Sequence, residues 1–207
     1  MFHVKQSVIE RQVAGAGLQV TREQLASLQL AAEWLARLAR ASGLSGYDSA
    51  QEAWERGMTP ALAYFNFPEA PRSGALADLG AGSGALGATI AILEGNLQVD
   101  LVDRAQKAYT ACELLVARLR RSNLRARWQD AGDAAARRYD AVVFRALGPG
   151  ERALSLAVRV VRANGFIGAY HRAGDRGFTA DADHHGLMVV STVETPVPGL
   201  HLTGYRT

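Results

Sequence analysis

Asp78-Leu79-Gly80-Ala81-Gly82-Ser83-Gly84-Ala85-Leu86-Gly87 is the stretch that decides how this chain folds. It follows a short apolar run, residues 75–79, and leads into a helical one, residues 86–94. Open α/β sheets bind their ligands at the carboxyl ends of the strands, where a strand gives way to a loop and then a helix. Glycines permit the turn and let a ligand approach the backbone. The helix behind them offers free N–H groups and the positive end of its dipole.

Two ligand classes suit such a loop. Gly82-x-Gly84-x-x-Gly87 matches the dinucleotide fingerprint. Asp103 lies 21 residues beyond Gly82 at the end of the next strand and suits a ribose hydroxyl partner for either class. Asp78 tilts the choice, because a carboxylate just before the glycines repels a pyrophosphate and attracts the amino group and sulfonium of S-adenosylmethionine (SAM). A glycine-rich turn that binds nothing is the structural alternative.

On either side of the loop, strands and helices alternate. Strands are expected over 75–79, 98–102, 124–129, 140–144 and 165–170, with helices over 86–94, 106–121 and 152–162. This order predicts a Rossmann-like, doubly wound, mostly parallel sheet covered on both faces. Two final strands, 187–193 and 200–205, have no helix between them and predict an antiparallel edge.

Before the loop the chain reads as helical. Residues 1–20 look irregular. Thr21 and Gln24 form a capping-box pattern, followed by Leu25, Leu28, Ala32, Leu35 and Leu38 on one helical face. A weaker helical stretch runs over 51–67, and the prolines and glycine of 67–74 then punctuate the chain. The expected division is a helical N-terminal segment, 1–74, packed on a core, 75–207. Tyr64, Phe65 and Phe67 suit a hydrophobic seam between them better than a base-stacking surface.

Composition is that of an ordinary globular chain: of 207 residues, 48% are hydrophobic and 21% charged. The formal net charge is +3, but arginines 118, 120, 121, 125 and 127 are clustered, as phosphate recognition would use them. A solvated helix face explains them equally well. Arg159, Arg162, Arg172 and Arg176 form a looser group. Cys112 is the single cysteine, which excludes an internal disulfide and reads as a small buried hydrophobe. No secretory leader is recognisable, and no apolar run reaches the ~18–20 residues that span a bilayer. A cytoplasmic protein is expected. Asp181, Asp183, His184 and His185 read as a solvated loop, and no metal is expected.

With these residues in hand, the chain resembles the glucose-inhibited division protein B family, which methylates a guanine N7 in 16S ribosomal RNA. The resemblance runs from about Val20 to the C-terminus. It rests on the 78–84 loop, on Leu101-Val102-Asp103 with Lys107, and on Asp140-Ala-Val-Val-Phe-Arg145-Ala146. It implies a class I SAM-dependent methyltransferase fold. To the loop reading, which puts SAM at Asp78, Gly82 and Gly84, the resemblance adds implied contacts at Gly80 and Ala85, at Asp103 for the ribose, at Ala131 and Gly132 beside the adenine, and at Arg145. The implied partner is ribosomal RNA or the small subunit, and the protein is expected to act as a monomer. Departures from the family pattern lie mostly outside the loop. Leu86-Gly87 replaces a proline-glycine pair, Gly43-Leu44-Ser45 an Asn-Leu-Thr element, Arg56-Gly57 an arginine-histidine pair, Asp130 an arginine, and His171-Arg172 a lysine-glycine pair.

Methyl transfer to N7 is an in-line displacement onto a lone pair with no proton to remove, so position matters more than a general base. No catalytic residue is named. Arg145 and His171-Arg172 are expected to orient cofactor or substrate. An Arg145 ion pair with Asp140 or Glu151 is the structural alternative, as is an edge-strand role for His171. Competing functions are a methyltransferase for another substrate, a nicotinamide-dependent oxidoreductase, and a cofactor-binding module without catalysis.

Overall fold

The computed structural model describes residues 4–130, 137–175, 178 and 182–207. Seven strands form one sheet in the order β3-β2-β1-β4-β5-β7-β6. They are β1 Gly74–Leu79, β2 Leu97–Asp103, β3 Leu124–Trp128, β4 Tyr139–Arg145, β5 Val161–Arg172, β6 Met188–Glu194 and β7 Leu200–Arg206. The first five pair in parallel, and β7 runs antiparallel between β5 and β6. The order reverses at β1, where β2 and β4 flank it on either side. Its carboxyl end is therefore the switch point at which such sheets open a crevice.

The helices divide between the faces. α4 Ala85–Leu93 and α5 Gln106–Leu119 cover one face. Their Ile90, Ile92, Cys112 and Leu115 meet Leu76, Val99, Leu101 and Val143 of the sheet. α6 Gly150–Val160 covers the other, with Ala153, Leu154, Ala157 and Val160 against Val142, Phe144 and Ile167. Each face has its own apolar core because side chains alternate along a strand.

The segment before β1 extends the first core. α1 Gln6–Gly15 buries Ile9 and Val13, and α2 Arg22–Ser42 buries Leu28, Ala32 and Leu35. α1 departs from the irregular run expected over 1–20. Its buried stripe is only two residues wide, too thin to register as periodicity against polar neighbours.

The capping box forms as expected. The Gln24 N–H donates to Thr21 Oγ1 at 3.1 Å, and Gln24 Oε1 accepts from the Thr21 N–H at 2.9 Å. The Gln24 amide nitrogen also donates to the carbonyls of Ile92 and Leu93, both at 3.1 Å, at the far end of α4.

The stretch over 51–67 is helical but irregular: α3 Ala50–Glu52 widens into a π-turn, Ala53–Met58, and tightens into a 3₁₀ run, Thr59–Asn66. Gly57 lies where a Cβ would stand 2.6 Å from Tyr47 Oη, so a larger residue there would displace the Tyr47 ring. Tyr64 and Phe67 are buried and meet Phe166 at centroid distances of 5.8 and 5.4 Å. That is the seam expected of them. β5 starts earlier than the predicted 165, because Val161 pairs with Tyr139 before a bulge resets the register.

Candidate cofactor and acceptor site

Three adjoining hollows open along the carboxyl edge of the sheet. One of about 250 Å³ is lined by Ser45, Tyr47, Asp78, Gly82, Ser83 and Arg145. A second, about 370 Å³, lies over Gly80, Asp103, Arg104, Gln129, Asp130 and Arg152. The third, about 450 Å³, is bounded by Arg56, Arg145, Tyr170, His171, Arg172 and Phe178. Ala146 lines all three, so they form one groove.

Asp78 sits beneath the glycine loop, 2% exposed. Its Oδ2 accepts the Gly87 N–H at 2.8 Å. Gly87 is in the first turn of α4, so a carboxylate from β1 satisfies one of the helix's orphan donors. Burial pushes the Asp78 carboxyl up to about 6. The Gly87 bond and Arg145 pull it down, and Asp103 pushes it further up. This explains physically why the loop disfavours a pyrophosphate. One of the amides that phosphate oxygens would use is already taken, and by a carboxyl group.

The glycines have separate tasks. Gly84 has φ +80°, and a Cβ on it would stand 2.9 Å from Leu101 Cδ1. Gly87 has a Cβ position 2.5 Å from Leu101 Cδ2 and 2.9 Å from Asp78 Cβ. Both keep α4 close on β1 and β2. Gly82 anchors the loop sideways: its N–H donates to Asp103 Oδ2 at 2.9 Å. Asp103 Oδ1 accepts from the Ala105 N–H at the same distance. A carboxylate oxygen has two lone pairs, so each oxygen of Asp103 keeps capacity for a ligand hydroxyl.

Arg145 ends β4 between the first and third hollows, and its Nη1 donates to the Arg56 carbonyl at 3.1 Å. Asp140, a partner considered for Arg145, is bonded to the Ala75 N–H and paired with Arg162. Ala146, next along, has φ +58°, a left-handed conformation that costs an L-residue about 1–2 kcal/mol. Such strain clusters where a backbone turn is dictated by a site. His171 stacks on Phe178 at 5.0 Å, and its Nε2 lies 2.8 Å from Thr203 Oγ1. It forms part of the wall of the third hollow.

Two hydroxyls in the groove lack partners among the described residues: Tyr170 Oη and Ser45 Oγ. A buried unpaired polar group costs about 1–3 kcal/mol. Neither is among the site residues expected from sequence: Tyr170 belongs to no motif, and Ser45 figures only as the last residue of Gly43-Leu44-Ser45, where the family has Asn-Leu-Thr. Their juxtaposition comes from strand register and from the turn after α2.

The 118–127 arginines disperse. Arg118 lies over the Trp34 ring at 5.9 Å, Arg121 bonds Asn123, and Arg127 pairs with buried Asp100. The arginines that line the groove are Arg56, Arg104, Arg145, Arg152 and Arg172. Ala131 and Gly132, expected beside the adenine, lie outside the described residues, as do Arg176 and Asp181. Asp183, His184 and His185 form a 3₁₀ turn. Among the described residues no helix is long and apolar enough to cross a membrane.

No curated protein matches the sequence. Among solved structures, the chain is similar to a SAM-dependent methyltransferase from Aquifex aeolicus. The TM-score is 0.62 at 13% identity, covering 83% of this chain and 97% of that one. A geranyl diphosphate C-methyltransferase from Streptomyces coelicolor A3(2), solved with S-adenosyl-L-homocysteine, gives TM-score 0.59 at 13% identity over 70% and 77%. TYW2 of M. jannaschii, solved with AdoMet, gives 0.50 at 14% over 65% and 68%. These likenesses establish the class I methyltransferase fold. The family model for rRNA small subunit methyltransferase G matches residues 24–194, most of the chain and all of the groove up to β6. The chain belongs to that family of SAM-dependent ribosomal RNA methyltransferases.

Proposed function

We propose that the groove holds SAM on Asp78, Gly80, Gly82, Gly84, Ala85, Asp103 and Arg145, with Ala131 and Gly132 beside the adenine. In this reading the chain methylates N7 of a guanine in 16S ribosomal RNA within the small subunit, acting as a monomer. The observation that carries the assignment is the Asp78–Gly87 bond. It places a buried carboxyl where the loop would otherwise present a phosphate site.

SAM, when bound, supplies a methyl group on a sulfonium. Asp78 then offers its second oxygen to a cationic amino group, and Ser45 and Arg145 suit the carboxylate beside it, since all three line the same hollow. Asp103 accepts from the ribose hydroxyls at the second hollow. The third hollow receives the acceptor base, and Arg56 and Arg172 at its rim suit the flanking phosphates. Since N7 has no proton to lose, none of these groups acts as a base. The site works by placing a lone pair in line with the methyl.

The test is methyl transfer from labelled SAM to small subunits lacking the N7 methyl. Incorporation that renders the target guanine sensitive to N7-methyl cleavage chemistry is the expected result. Cofactor binding without incorporation would overturn the guanine assignment and leave the SAM site standing.

A further inference from the structure

We propose that the Tyr170 hydroxyl recognises the acceptor base by donating to guanine O6, the atom beside the attacking N7. The inference rests on the guanine reading above.

Its position follows from strand register. Asp78 of β1 pairs with Val143 of β4, and Arg145, two residues on, pairs with Tyr170 of β5. Alternation puts Asp78, Arg145 and Tyr170 on one face, in a row across the carboxyl ends of three adjacent strands. The row runs from the SAM loop into the third hollow, so Tyr170 stands at its acceptor end.

The tyrosine is also unlike the other large buried tyrosines. Tyr64 donates to the Pro71 carbonyl at 2.7 Å, Tyr139 to Asp100 at 2.9 Å, and Tyr205 to the Phe178 carbonyl at 2.7 Å. Tyr170 is equally buried, at 2% exposure, yet its Oη has no partner among the described residues. Folding places in a cavity wall a tyrosine whose buried hydroxyl has no partner among the described residues, at the end of the row that begins under the glycine loop. A ligand that supplies an acceptor there resolves the deficit.

Guanine supplies one. Its outer edge carries two acceptors, N7 and O6, where adenine carries N7 and an amino donor. N7 must stay unbonded to attack, so a recognising donor has to reach O6. Arg145, donor-only, faces the same hollow and disfavours an adenine amino group there. Burial holds the Tyr170 phenol well above its usual range, so it remains a neutral O–H donor at any working pH. The stacked His171–Phe178 pair supplies an aromatic wall for the ring.

The experiment uses Tyr170→Phe, which keeps the ring and removes one oxygen. The expected result is a loss of kcat/KM on unmethylated small subunits of about 10- to 100-fold. S-adenosylhomocysteine affinity and melting temperature should stay at wild-type values or better. Subunits reconstituted with 2-aminopurine at the target position, which keeps N7 and lacks O6, should cost the wild type a similar factor and cost Tyr170→Phe nothing further. Unchanged kcat/KM in Tyr170→Phe overturns the proposal. So does weakened cofactor binding, which would assign the hydroxyl to SAM, and so do losses that multiply between variant and analogue. A wild type that binds cofactor and methylates no guanine overturns the guanine reading itself, and this inference with it.

Discussion

The two ends of the groove are finished differently. At the proposed cofactor end the two carboxylates are already bonded to the chain. Asp78 holds the Gly87 amide, Asp103 holds those of Gly82 and Ala105, and glycines let α4 close on the sheet. At the proposed acceptor end the Tyr170 hydroxyl has no partner among the described residues, and Ala146, which borders all three hollows, is held in a left-handed conformation. The first end is shaped before its ligand arrives. At the second, on the reading proposed above, a hydrogen bond is left for the substrate to complete. A small, constant cofactor suits the former, and a base that must be drawn out of a large RNA suits the latter.

The largest effect is expected from Gly84→Val. A β-branched side chain at φ +80°, against Leu101 and Leu115, should cost about 3–5 kcal/mol in urea denaturation and abolish cofactor binding. A fully stable variant would mean that the loop is not pre-shaped by packing. Next is Asp103→Ala, expected to weaken S-adenosylhomocysteine by about 100-fold in calorimetry, since two ribose hydroxyls lose a charged acceptor and Gly82 loses its anchor. An affinity within twofold of wild type would remove Asp103 from the site.

Asp78 predicts a pH dependence. A carboxyl raised from 3.8 to about 6 stabilises the fold only while protonated. That contribution is complete below 3.8 and gone once pH passes about 6. Ligand binding has the opposite sign, because a cationic amino group requires the ionised form. Cofactor affinity should therefore fall about tenfold between pH 7 and pH 5. Asp78→Asn should flatten that profile and melt higher than wild type at pH 8. A profile equally steep in the variant would place the titrating group elsewhere. The smallest effect is expected from Ala146→Gly. Relief of the left-handed φ should raise stability by no more than about 1 kcal/mol in denaturation, with cofactor affinity unchanged. A large loss of affinity would show that this turn, too, is shaped for the cofactor.

What could be read from sequence follows the same division. The 78–87 loop, the Thr21–Gln24 box and the alternation of strands and helices are local patterns, and their physics is carried by neighbours in the chain. The Asp78 carboxylate was legible as a residue that disfavours pyrophosphate, but its bond to Gly87 was not. α1 escaped because Ile9 and Val13 are too few to make a stripe. The irregular turns over 53–66 bring Gly57 against Tyr47, a contact between separate segments that no local pattern reveals. Tyr170 is legible as the end of a strand. That its hydroxyl has no partner among the described residues is a property of the folded chain, which no local pattern carries.

Gln24 couples the groove to its cover. Its side chain clasps the last carbonyls of α4, whose first turn carries the Asp78–Gly87 bond, while its backbone begins α2. α4 is therefore a strut pinned at both ends, by the cofactor loop at one and by the outer helix at the other. A ligand that stiffens the loop should slow amide exchange at the start of α2, on the far side of the strut, without touching it. Cutting the clasp with Gln24→Ala should leave the cofactor end intact and uncouple that distant protection from binding.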